Sequence, residues 1–263
     1  MHAIGIIPAR MASLRFPGKP LEKICGIPMI GHVYHRSKMS GILSEVYIAT
    51  CDKEIMEYAD SIRAPAVMTN AFHERASDRA AEAMQKIEKE QKKKIDIVVM
   101  IQGDEPMIAP SMIDDAIRAM QNDPNIQVVN LMSRLDTQEE HEDPNEVKVV
   151  VDQQNFALYF SREPIPSRKR GALQVPMLKQ VCIIPFRRDF LLHFNNMAPT
   201  PLEVIESVDM LRVLEHGFKV KMVMSDHRTY SVDTPDDLEC VNRYMENDVL
   251  MEKYIHNENL HGS

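Results

Sequence analysis

Glycine is scarce in this chain of 263 residues: there are nine, and none stands in a G-x-G-x-x-G or a G-x-x-x-x-G-K-[ST] arrangement. Both familiar glycine-built phosphate loops are thereby excluded, so any phosphate site has to be assembled from other donors. Cysteine is sparser still. Cys25, Cys51, Cys182 and Cys240 lie far apart with no C-x-x-C pair, which excludes a disulfide framework and a finger-type zinc site and reads as reduced packing residues in a cytoplasmic protein. No apolar run approaches the roughly 20 residues that cross a bilayer, and no charged segment followed by a hydrophobic one precedes the first strand, so neither a membrane partner nor a signal peptide is expected. Positive charge is in deficit: 31 Lys and Arg against 39 Asp and Glu give a net charge of −8, which argues against a broad nucleic-acid-binding surface. Internal repeats are absent, as is any Ser/His/Asp or Cys/His set that would point to a nucleophilic side chain. What remains, at 44% hydrophobic composition, is ample for a full α/β core.

Against this deficit, cations crowd one loop. Residues 6–21 read IIPARMASLRFPGKPL: an apolar run through Ile4, Ile6 and Ile7 breaks at Pro8 into a segment carrying Arg10, Arg15 and Lys19. A strand that ends in such a loop can converge backbone N–H groups and cationic side chains on phosphate oxygens. A solvated basic turn is the plainer alternative. Pro8, Pro17 and Pro20 favour the cradle, because they stiffen a segment that solvation alone would leave loose.

Two further segments carry acids, one after a strand and one before a helix. Ile95 to Ile101 is almost continuously apolar, as a strand buried on both faces of a parallel sheet should be, and it runs into Gln102-Gly103-Asp104-Glu105-Pro106. Ligands of open α/β sheets bind beyond the carboxyl ends of strands, so Asp104 is a candidate metal or substrate group. The second is Ser231-Val232-Asp233-Thr234-Pro235, where Thr234 suits the helix cap and Pro235 the first helical position, leaving Asp233 free to point elsewhere. Helices are expected from Pro28 to a cap at Gly41, over Lys53–Ile62, from a cap at Ser77, and from Pro110. His32 and His35 stand three apart but lack a third ligand nearby and read as packing or surface residues. From Asp136 the βα rhythm gives way to a hairpin, Val147–Val151 with Ala157–Phe160. A basic loop 168–171, a strand Leu178–Ile184 and a helix Pro201–Glu215 complete this insertion, Glu206, Asp209 and Arg212 sharing one face of the helix either as surface pairs or as ligand contacts. After Asn247 the tail is polar.

Taken together, IIPARMASLRFPGKPL, IQGDEP, ALYFSREPIP, LRVLEHG and SVDTPDDL stand in the order and at the separations of the 3-deoxy-manno-octulosonate (Kdo) cytidylyltransferases, the CMP-Kdo synthetases, and the chain resembles that family over about residues 3–245. The resemblance implies a single α/β domain of the nucleotide-diphospho-sugar transferase type: a mostly parallel central sheet flanked by helices, spanning 1–245, with an antiparallel dimerisation subdomain inserted at about 136–217 and a tail at 246–263. It also implies CTP and a small sugar acid as substrates, Mg²⁺ as cofactor and a homodimer. Matched position by position, Arg10, Ser13 and Lys19 fall in the family's triphosphate loop, Gln102 and Asp104 at its strand-end site, and Asp104 and Asp233 on its metal. Arg79, Arg162 and Glu206, with Gln102, match the sugar-acid pocket. The chain departs from the pattern in two places. Ala76-Ser77-Asp78-Arg79 stands where the family has Gly-Thr-(Asp/Glu)-Arg. Gln180-Val181-Cys182-Ile183-Ile184-Pro185-Phe186 stands where it has His-x-Gly-Ile-Tyr-x-Tyr, so the pocket histidine becomes Gln180 and two hydroxyls are lost at Ile184 and Phe186, a change expected to disfavour Kdo. Two alternatives follow: a cytidylyltransferase for another ulosonic acid, an amino-sugar analogue or a phosphonate, and a nucleotide-binding regulator without turnover.

Overall fold

The computed structural model describes residues 1–12, 16–169 and 174–258. Ser13, Arg15, Arg170 and Gly171, singled out above, lie outside the described residues. The chain divides into two compact units, one formed by Met1–Asp114 with the chain from Thr229 on, the other by Asp115–Arg228. The change of rhythm read at Asp136 therefore lies inside a unit that begins some twenty residues earlier.

In the first unit, four parallel strands run in the order Ile97–Ile101, Ala3–Ala9, Glu45–Thr50 and Ala66–Met68. The strands Ala3–Ala9 and Ile97–Ile101 bury nearly every side chain, as parallel strands covered on both faces must. Helices Met29–Lys38, Lys53–Ser61 and Ala76–Gln91 belong to this unit. Gly31 permits a close helix contact: a Cβ there would lie 2.0 Å from the Tyr58 hydroxyl. The helix from Met29 ends at Lys38, short of the expected cap at Gly41, because the Met39 N–H already returns to the carbonyls of Arg36 and Ser37. The third helix is capped at Arg75, and Ser77 is buried within its first turn.

The polar tail holds a helix, Val249–Glu258, whose Met251 and Tyr254 enter a core with Ile24, Ile27, Met29 and Val241. Tyr254 is anchored mainly by polar groups. His32 Nε2 faces the Ile24 carbonyl at 2.7 Å, which makes it the N–H bearer, so Nδ1 accepts from the Tyr254 hydroxyl at 2.7 Å. Arg36 Nε donates to the same hydroxyl at 3.2 Å, and Arg36 also pairs with Asp248 at 2.5 Å. His35 stacks on the Tyr254 ring at 5.1 Å. Both histidines are thus packing residues.

The second unit holds a sheet in the order Lys221–Met224, Val129–Arg134, Leu178–Val181, Lys148–Val151, Ala157–Ser161. Its first pairing is parallel and the other three are antiparallel. The expected hairpin is present, with Asn155 in the left-handed region at φ 58°. Two expectations fail in this unit. The strand foreseen over Leu178–Ile184 breaks at Cys182 into Leu178–Val181 and Ile183–Arg187. The helix foreseen over Pro201–Glu215 is two helices, Pro201–Glu206 and Met210–Glu215, parted at Ser207 (φ 53°). The break brings Glu203 against Arg212 in a bidentate pair at 2.8 and 2.7 Å, both side chains at most 3% exposed. A buried guanidinium needs such a partner, so the surface row through Glu206, Asp209 and Arg212 gives way to this clasp.

Candidate nucleotide and metal site

Three segments of the first unit meet at Lys19. Beyond the strand Ala3–Ala9 the chain passes Arg10, which is exposed, and Met11, whose carbonyl accepts from the Gly18 N–H at 3.0 Å. Gly18, at φ 78°, starts the short 3-10 turn Lys19–Leu21, a backbone region that glycine enters at little cost. Lys19 Nζ then donates to Asp104 Oδ2 at 2.8 Å and to the Val232 carbonyl at 2.7 Å, with Asp233 Oδ1 at 3.4 Å. The three side chains are 12%, 24% and 18% exposed, so the pairing is sheltered while still open to solvent.

Each acid is placed for a local reason. Asp104 follows the buried strand Ile97–Ile101, and at Gly103 a Cβ would lie 3.4 Å from the Pro8 carbonyl oxygen, so this segment runs close beside the end of the first strand. The Val232 N–H donates to the Asp104 carbonyl at 2.9 Å, which ties the two acidic segments together. Asp233 precedes a helix whose cap is already complete. Thr234 Oγ1 accepts from the Asp237 N–H, and Asp237 Oδ2 accepts from the N–H groups of Asp233 and Thr234. With that capping box filled by Thr234 and Asp237, the Asp233 carboxylate is left to face Lys19.

Lys19 was expected at a phosphate in the basic loop; here it joins the two carboxylates. An ammonium held by two acids occupies the kind of position a divalent cation favours, since Mg²⁺ is bound through one or two carboxylates and completes its octahedron with water and phosphate oxygens. Asp104 and Asp233 fit that donor set. Among the described residues no group of three or more His, Cys, Asp or Glu could hold a metal, so a cation at this pair would draw its other ligands from solvent or substrate.

The remaining residues singled out from the sequence are placed as follows. Gln102 is half-buried beside Asp104. Arg79, expected to line the sugar-acid pocket, is 2% exposed and holds the preceding loop, donating to Thr69 Oγ1 and to the carbonyls of Asn70 and His73 at 3.4 and 3.5 Å. In the second unit Arg162 and Glu206 do come together. Glu206 accepts from the Arg162 N–H at 2.8 Å and from the Ser161 and Tyr159 hydroxyls at 2.9 and 3.2 Å, and Arg162 Nε donates to the Glu206 carbonyl at 2.7 Å. Gln180 Nε2 donates to Asn130 Oδ1 at 2.5 Å. Ile184 and Phe186 are 3% and 0% exposed, Phe186 lying against Phe194. These two side chains therefore fill the core, and the expectation that they form a less polar pocket wall is corrected. One residue that touches the loop has no signal in the sequence: Asp52, before the helix Lys53–Ser61, accepts from the Met11 N–H at 2.7 Å.

A cytidylyltransferase family model matches residues 4–223. The chain is 44% identical over 251 residues to a 3-deoxy-manno-octulosonate cytidylyltransferase of Geobacter metallireducens, covering 92% of this chain and 96% of that one. The chain belongs to this family. A mitochondrial 3-deoxy-manno-octulosonate cytidylyltransferase of Arabidopsis thaliana is 41% identical over 93% of this chain and 83% of its own length. The solved structure of a CMP:2-keto-3-deoxy-manno-octonic acid synthetase complexed with CTP superposes with a TM-score of 0.85 at 37% identity, over 93% of this chain and 98% of that one. A cytidylyltransferase from Leptospira borgpetersenii, at 18% identity and a TM-score of 0.64 over 99% of this chain and 96% of its own, shares the fold. The mixed α/β architecture with a parallel-rich sheet is thus that of the nucleotidyltransferases, and among the described residues no helix is long and apolar enough to cross a membrane.

Proposed function

We propose that the protein transfers CMP from CTP to 3-deoxy-manno-octulosonate, releasing pyrophosphate. The observation that carries this reading is the convergence of Lys19, Asp104 and Asp233, in a chain of this family. The acceptor hydroxyl oxygen attacks the α-phosphorus in line; the new O–P bond forms as the bond to the pyrophosphate oxygen breaks, and the hydroxyl proton passes to solvent or a nearby base. Positioning and charge stabilisation supply the rate, with no nucleophilic side chain required. Mg²⁺ held by Asp104 and Asp233 would supply neutralisation of the triphosphate charge. Arg10, Ser13 and Gln102 are assigned to the nucleotide, together with Lys19, which must give up a present partner to reach a phosphate. Arg162 and Gln180 are assigned to the acceptor, with Glu206 fixing Arg162; Arg79 acts on the acceptor only through the loop that it holds.

The experiment is pyrophosphate release from CTP and Mg²⁺ with a panel of sugar acids, with Kdo expected to give the highest kcat/KM. Gln180 in the place of the family's histidine favours a second reading, an acceptor altered near that position, and another acid outrunning Kdo would establish it. Release with none of the acids would leave a nucleotide-binding regulator, against which the pairing of both carboxylates argues. We further propose a homodimer formed through the insertion at about 136–217 of a catalytic domain 1–245. Leu158, Val204 and Ile205 are 61%, 66% and 74% exposed on elements joined by the Tyr159–Glu206 contact, and an apolar patch of this kind is suited to a second copy. Four cysteines that form no disulfide fit the reducing cytoplasm.

A further inference from the structure

The loop that carries Arg10 and Lys19 is tied at Met11. Met11 is bonded at both its backbone groups, its carbonyl accepting from Gly18 at 3.0 Å and its N–H donating to Asp52 Oδ2 at 2.7 Å. Asp52 stands at the N-cap of the helix Lys53–Ser61, where an aspartate ordinarily accepts from the N–H of the second or third residue of its own helix. It makes no such bond. Its carboxylate is turned to Met11 instead, while its own N–H donates to the buried Thr50 Oγ1 at 3.1 Å and the Cys51 thiol lies 3.7 Å from Oδ2. A negative charge next to a loop that receives a triphosphate opposes binding by Coulomb repulsion, so its presence there requires a compensating role.

We infer that Asp52 is a positioning residue for the nucleotide. By accepting from the Met11 N–H it fixes the stem of the loop, and with it the places of Arg10 just before and Lys19 just after the Met11–Gly18 closure. The role belongs to the acceptor oxygen rather than to the charge. An asparagine, which keeps an oxygen at that position and sheds the repulsion, should therefore serve as well as the native residue. The inference rests on the CTP reading above for its effect on binding, but the anchor itself can be measured without any substrate.

Asp52→Ala and Asp52→Asn are compared with the unmodified protein by amide hydrogen exchange at Met11, by calorimetric titration with CTP, by steady-state kinetics and by thermal melting. Asp52→Ala should speed exchange at Met11 and weaken CTP by roughly tenfold, the worth of one hydrogen bond to a charged group, with the KM for the acceptor unchanged. Asp52→Asn should hold CTP to within about threefold of the native protein, as expected when a neutral acceptor replaces a charged one. Unchanged exchange at Met11 in Asp52→Ala overturns the anchor. An Asp52→Asn as weak toward CTP as Asp52→Ala overturns the role of the oxygen, and parallel losses in both KM values with a lowered melting point reduce Asp52 to a structural residue. If the unmodified protein neither binds CTP nor releases pyrophosphate, the functional reading fails by itself, and exchange at Met11 still decides the anchor.

Discussion

Replacing Lys19 by methionine keeps an unbranched stem and removes only the ammonium. Lost with it are the bonds to Asp104 at 2.8 Å and to the Val232 carbonyl at 2.7 Å, together with the weaker contact to Asp233 at 3.4 Å. Hydrogen bonds to charged groups contribute about 1.5–3 kcal/mol each. The side chains are 12–24% exposed, so water recovers part of that, and the net cost should be about 2–3 kcal/mol. For a chain of this size the melting point should fall by roughly 4–12 °C. The two carboxylates are then left facing each other with no cation between them. In the native protein Mg²⁺ has to displace the ammonium; in Lys19→Met it does not. Mg²⁺ should therefore raise the melting point of the variant more than that of the native protein, and at a hundredfold excess over its dissociation constant the stabilisation is about 2.7 kcal/mol. Calorimetric scans with EDTA and across a MgCl₂ series read both effects. A variant that melts with the native protein in EDTA, or gains no more from Mg²⁺ than the native protein does, refutes competition between Lys19 and the metal for these acids.

Asp104→Asn and Asp233→Asn should each lower kcat by about a hundredfold or more while the fold is kept, since each removes one of the two carboxylates that would hold Mg²⁺ against the triphosphate; pyrophosphate release and circular dichroism together check this, and near-native turnover by either folded variant removes it from the metal pair. Arg212→Met should cost about 3–5 kcal/mol, because it takes the guanidinium away from the buried Glu203 carboxylate, and the measurement is the urea midpoint; Arg212→Met with Glu203→Gln should recover part of the loss. Glu82 gives the pH dependence. Burial by itself would raise its pKa, but Lys86, the Asn70 N–H and His73 outweigh it and hold the carboxyl down at about 2. A folded pKa below the unfolded one contributes stability that is complete above about pH 4.5 and is lost as pH falls toward 2. Glu82→Gln should accordingly flatten the acid limb of the stability profile between those values, with little change in its shape above pH 5.

Asp104 is legible in the sequence because a buried parallel strand such as Ile97–Ile101 admits polar residues only at its ends. Asp233 is legible because Thr234 and Pro235 already suit the cap and the first position of the helix that follows. The partner of those acids is not legible. Lys19 lies 85 residues from Asp104 and 214 from Asp233, and no local pattern links them, so the lysine was assigned with its neighbours in the loop. The helix after Asn247 is hidden for a related reason. It offers two buried anchors, Met251 and Tyr254, and its attachment runs through Arg36 and His32, more than 200 residues away. The break at Ser207 was missed because each half of Pro201–Glu215 has helical periodicity; only the buried Glu203–Arg212 clasp requires the turn between them.

Asp233 and Asp52 show where local reading succeeds and where it stops. Both stand at the start of a helix, where an aspartate is most simply a cap. At Asp233 the neighbours supply the correction, since Thr234, Pro235 and Asp237 complete the capping box and make a further acid superfluous. At Asp52 nothing nearby competes for the role, and no local pattern sets the residue apart from an ordinary cap. The structure instead shows the cap forgone, with the carboxylate bonded to a backbone N–H 41 residues earlier. A cap that is left unmade gives up stabilisation of its own helix, so such an acid has another partner to offset the loss. In both places that partner belongs to the loop between Arg10 and Lys19, and the two helix starts hold its opposite ends: Asp52 at Met11, and Asp233 at Lys19.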